Sequence, residues 1–80
     1  MDTRTAVVNR IFELCAQKEL SIDQLASLSD ISISTLKNIL YGKSKNPGIV
    51  VIMAICDGLG ITLNEFFSTP EFDALEQEMK

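Results

Sequence analysis

Between Asp30 and Asp57 the chain holds no acidic residue, yet Lys37, Lys43 and Lys45 all fall in that interval. Three lysines together on a chain of net charge −4 mark a stretch suited to phosphate contact. Ser34, Asn38 and Tyr41 lie beside them and add uncharged donors and acceptors. Covalent chemistry has no comparable signal. The chain has no histidine, no Gly-rich phosphate loop and no nucleophile–base pair. Cys15 and Cys56 stand 41 positions apart in apolar surroundings without CxxC spacing. A structural zinc wants about four nitrogen or sulfur ligands. Two thiols cannot supply them, so both read as buried free cysteines. No enzyme activity, metal, cofactor or small-molecule ligand is expected.

The elements that must position these residues follow from caps and apolar spacing. Val7, Ile11, Leu14 and Cys15 recur at helical intervals and predict a helix over 4–18, capped by Thr3 or Thr5. "SIDQ" from Ser21 is a capping box, with Leu20 and Leu25 as its hydrophobic staple. It opens a short helix over 22–28 whose inward face is read as Leu25, Ala26 and Leu28. Asp30 tolerates the left-handed turn that follows. Ser32 caps a helix over 33–41. Leu36, Ile39 and Leu40 form its core face, and Ser34, Lys37, Asn38 and Tyr41 point broadly the other way. Gly42 is expected to end it as a left-handed C-cap. "KSKNP" then forms a loop, because Pro47 disfavours helix at Asn46.

A fourth helix spans 49–58 with a buried stripe of Ile49, Ile52, Ile55, Cys56 and Leu59. Gly58 permits a close helix crossing there, and Gly60 suits the C-cap. "TLNE" from Thr62 is a second capping box that starts a fifth helix, and Pro70 suits the first position of a sixth. Phe72, Leu75 and Met79 recur at i, i+3 and i+7 in that last segment. No strand pattern appears. Eighty residues, 46% of them hydrophobic, suit one all-α domain. The longest apolar run, 49–56, is far shorter than the ~18 residues of a membrane span. The N-terminus lacks signal-peptide order, so a cytoplasmic location is expected.

Two short helices joined by a tight turn inside a five-helix unit are the layout of a helix-turn-helix reader. From about Val8 to Phe67 the chain resembles the Cro/XRE-type helix-turn-helix domain of phage repressors and many bacterial regulators. The resemblance rests on Leu25-Ala26, Ile31, Leu36, Ile39, Gly42, Pro47, Leu59-Gly60 and Phe66-Phe67 at their joint spacing. It implies a five-helix lambda-repressor-like domain over 1–68, followed by an acidic C-terminal helix or tail over 69–80. It also implies a bacterial transcription regulator, a repressor or its like, that binds double-stranded DNA as a homodimer. Helix 33–41 would then enter the major groove. Ser32, Ile33, Ser34, Lys37 and Asn38 match the base-reading positions. Ser21, Ile22, Tyr41, Lys43, Lys45 and Asn46 match the phosphate-contact region. Asn38 can pair bidentately with adenine, Lys37 can donate to guanine, and Ile33 can meet a thymine methyl.

Two departures from the family pattern stand out. Where many members pair an arginine with a glutamate, this chain has Cys15 and Leu40, which are expected to pack together instead. Ile22 and Ile33 replace polar groups often found at the groove. The segment 71–80 carries four acids and one lysine, so it belongs away from DNA unless it folds back over Lys37 and Lys43 to inhibit binding. Val50 and Met53, or Phe72, Leu75 and Met79, are the expected dimer contacts, with the C-terminal set favoured. The alternative reading is a protein-binding adaptor, such as an antitoxin component, that uses the same fold for assembly.

Overall fold

The computed structural model describes residues 2–42 and 46–77. Six helices follow one another: α1 (Thr3–Gln17), α2 (Ile22–Ser29), α3 (Ile33–Tyr41), α4 (Ile49–Leu59), α5 (Leu63–Phe67) and α6 (Pro70–Asp73). No strand occurs among the described residues. None of these helices is long and apolar enough to cross a membrane.

Three of the connections repeat one corner. The chain turns left-handed at Glu19 (φ 55°), Asp30 (φ 55°) and Gly60 (φ 72°). An apolar residue follows each time, Leu20, Ile31 or Ile61, and packs half-buried against the core. Its amide donates back into the helix just ended: Leu20 to the Cys15 carbonyl (2.9 Å), Ile31 to Ala26 (3.1 Å) and Ile61 to Cys56 (3.0 Å). This is the Schellman closure, which satisfies carbonyls that a helix end leaves open. A hydroxyl residue then caps the next helix: Ser21, Ser32 or Thr62 accepts from an amide three residues on. Gln24 and Glu65 reach back to complete capping boxes at α2 and α5. Each corner thus spends only three or four residues between helices, which forces neighbours to cross at once and close a core.

That core is one cluster. Ile11, Leu25, Leu36, Ile55, Cys56 and Phe66 are fully buried, with Leu14, Cys15, Ile39, Leu40, Ile52 and Leu59 around them. Phe66 stacks edge-on with Phe67, and Phe67 with Phe72, each at 4.9 Å between ring centroids. Through Phe72, α6 is tied to the same body, and it also lies against α1. Cys15 and Leu40 are both buried in this cluster, as the apolar replacement of a charged pair requires.

Several expectations need correction. Asp2, not Thr3 or Thr5, caps α1, its carboxylate accepting from the Thr5 amide at 2.7 Å. Leu28 is 56% exposed and Ser29 is buried in its place. At about 100° per residue, Ser29 falls between Leu25 and Ala26 on the helix wheel, whereas Leu28 falls outside them. Ile49 is 59% exposed although it lies on the correct face of α4. As the first helical residue it points back past the helix end, beyond the reach of the core. Gly42 is extended (φ −81°, ψ −174°), not left-handed. The last helix stops after one turn at Asp73, so Leu75 follows it rather than continuing its face. Pro70 does take the first helical position, as its fixed φ favours.

Candidate nucleic-acid interface

The apolar stripe of α3 decides which way its other side looks. Leu36, Ile39 and Leu40 are buried, and Ser34, Thr35, Lys37 and Asn38 are exposed. Nine residues make a rod of about 13 Å. With its side chains an α-helix is about 10–12 Å across, which a major groove about 12 Å wide admits. The first turn of α3 holds no acidic residue, so the positive end of its dipole is left for an outside anion. In contrast, α2 carries Asp23 in its first turn, which offsets that end.

The individual positions are not equally available. The Ser32 hydroxyl accepts from the Thr35 amide (3.0 Å) and donates to Thr35 Oγ1 (2.8 Å), so it is occupied as a cap. Ser21 is likewise engaged with Gln24. Ile33 and Ile22 are half-buried against the core, which leaves only part of each side chain outside. Ser34, Lys37 and Asn38 have no such engagement with the core. Tyr41, 66% exposed, tilts against the exposed ring of Phe12 at 6.2 Å between centroids. Asn46 is exposed on the α3–α4 connection, and Lys43 and Lys45 lie outside the described residues. Among the other expected contacts, Val50 is 78% and Met53 42% exposed. Phe72 is half-buried, Leu75 is half-buried, and Met79 lies outside the described residues.

Gly42 matters for room rather than for backbone freedom. A Cβ there would overlap both the backbone carbonyl oxygen and the carboxamide oxygen of Asn38. A glycine at this point therefore lets the Asn38 side chain lie over the end of α3.

Two residues that sequence reading passed over hold this frame. Arg4 Nη2 donates to the carbonyls of Ile39 (2.9 Å) and Gly42 (2.7 Å), joining α1 to the end of α3. Arg10 donates to the carbonyls of Phe66 (2.7 Å) and Glu65 (2.8 Å), joining α1 to the end of α5, and it pairs with Glu13. One clue was present for Arg4: a cation in the first turn of a helix opposes the helix dipole and needs a reason to be there. For Arg10 the sequence carried no such clue.

No group of three or more residues able to hold a metal occurs among the described residues. No curated protein matches the chain. A solved structure, the crystal structure of the prophage Lp1 protein 11, is similar over 94% of this chain and 100% of that one, with 33% identity and a TM-score of 0.81. The family model of the Cro/C1-type HTH DNA-binding domain matches residues 10–71, from the middle of α1 through the start of α6. The chain therefore belongs to the Cro/C1-type HTH DNA-binding domain family.

Proposed function

We propose that this protein is a sequence-specific transcriptional regulator of the repressor type that places α3 in the major groove of double-stranded DNA. The observation that carries the proposal is the split of α3: one face is core, and the other presents Ser34, Lys37 and Asn38 on an acid-free helix. Lys37 and Asn38 do most of the reading, because Ser32 is spent on its cap and Ile33 is half-buried. The α3–α4 connection with Asn46, together with the basic residues at 43 and 45, supplies phosphate contact. The protein acts as a symmetric dimer in the cytoplasm, reading two half-sites about one helical turn apart. Selection of bound sites from random DNA, followed by a salt titration, tests this. A two-fold symmetric site is expected, with affinity falling at a log–log slope of about −0.9 for each of roughly 4–6 phosphates. Failure to retain any DNA at low salt would defeat the proposal.

A second reading has its own support. Ile49, Val50 and Met53 expose apolar side chains on one end of α4. Such a surface suits assembly with a protein, either a second copy or, in an adaptor or antitoxin, another chain. Val50 and Met53 have more surface to offer than Phe72, which already packs on Phe66 and Phe67. Sedimentation equilibrium separates the choices. A dimer lost in Val50→Asp but kept when residues 69–80 are removed would assign the contact to α4. The reverse would assign it to the acidic segment.

A further inference from the structure

We infer that Arg4 is a positioning residue for DNA recognition: from α1 it sets the C-terminal end of α3 without itself touching DNA. The inference rests on the reading of α3 as the groove helix.

Three helices, α1, α2 and α4, close by the same left-handed corner, in which a following amide returns to the helix carbonyls. Among the described residues the end of α3 differs from these corners. Its following residue, Gly42, is extended, and its amide returns only to Asn38 (2.9 Å). The carbonyls of Ile39 and Gly42 are met by the Arg4 guanidinium. A helix end gathers partial negative charge, so a cation there gains from the dipole as well as from two charge-assisted hydrogen bonds.

The consequence reaches the reading face. Lys37 and Asn38 lie in the last turn and a half of α3, and the Asn38 carboxamide rests beside Gly42. Ile39 is buried, so Arg4 holds the inner side of the turn whose outer side presents Asn38. Loss of Arg4 removes the tie between that turn and α1. The angle at which Asn38 and Lys37 meet a base pair is then no longer set.

Arg10 provides the control. It makes the same kind of two-carbonyl contact from α1, but to α5, away from the reading face. The test compares Arg4→Met and Arg10→Met in the full chain. Far-UV circular dichroism establishes the folded fraction, and affinity for the selected DNA site is measured well below each melting temperature. Affinity per folded molecule is expected to fall about tenfold in Arg4→Met, the scale of one lost charge-assisted hydrogen bond. In Arg10→Met it should fall by less than about twofold, within the range of a remote change. The salt slope should be unchanged in both. A slope reduced by about 0.9 in Arg4→Met would mean a phosphate contact and overturn the inference. Equal affinities in the two variants would overturn it as well. If Arg4→Met does not fold, Arg4→Lys, which keeps the charge but not the two-pronged geometry, is expected to show a smaller loss with the slope intact. Wild-type affinity there would also overturn the inference. Should the wild-type chain select no DNA site, the reading of α3 fails first, and the inference falls with it for that separate reason.

Discussion

Gly58 in α4 lies directly against Ser29 at the end of α2. A Cβ on Gly58 would overlap the Ser29 hydroxyl, come within 2.8 Å of the Ser29 amide nitrogen and lie 3.0 Å from the Leu28 carbonyl carbon. The missing side chain is what lets the two helices cross this closely. Gly58→Ala should therefore destabilise the fold by about 1–3 kcal/mol in urea denaturation, as overpacking does. That outcome would override the gain of up to about 1 kcal/mol that alanine brings to a helix interior. Ser29 Oγ is buried without a hydrogen-bond partner, so Ser29→Ala should be neutral or stabilising. It should not rescue Gly58→Ala, because two of the obstructing atoms are backbone.

Gly42→Ala tests the end of α3. Its extended backbone is open to alanine, so strain in φ is not the issue. The new methyl would meet the Asn38 carbonyl and carboxamide oxygens. A loss of about 1–3 kcal/mol is expected. The Asn38 and Tyr41 amide resonances should also shift. A variant with wild-type stability and unmoved resonances would show that the turn has slack.

Asn38→Ala should relax discrimination at one position of each half-site, at about 1–3 kcal/mol per lost bidentate contact. Site selection with the variant reads this directly. A general loss of affinity with unchanged preferences would move Asn38 from reading to positioning.

The N-terminal cap adds a pH dependence. Hydrogen bonds from the Thr5 side chain and backbone hold the Asp2 carboxyl below its ordinary value of 3.8. A depressed carboxylate contributes stability that is full above the unfolded pKa and is lost as pH falls through the folded one. The melting-temperature difference between wild type and Asp2→Ala should be constant near neutrality and shrink below about pH 4. A difference that grows toward acid would contradict the capping geometry.

Both cysteines should be inert in the folded protein. Burial raises the thiols of Cys15 and Cys56 above their ordinary 9.0, and Asp57 adds to the effect at Cys56. The thiolate is the reactive form. Iodoacetamide at neutral pH should label neither residue on a timescale that fully labels the chain in denaturant. Rapid labelling of Cys15 would mean that α1 detaches readily from the core.

The helices and most of their starts were legible because caps and apolar period are local. Ser21 with Gln24, Ser32, and Thr62 with Glu65 each satisfy amides within four residues of themselves, whatever lies elsewhere. Asp30 and Gly60 take their left-handed turns for reasons of residue type, and the apolar period of α3 orients its polar face. Packing was a different matter. Whether Ile49 is covered depends on how far the core extends along α4. The partners of Arg4 lie 35 and 38 positions away, and those of Arg10 lie 55 and 56 away. Local rules carry no information about such pairs. They arise when helix ends with open carbonyls are brought against α1, and only the tertiary structure decides which guanidinium meets which end.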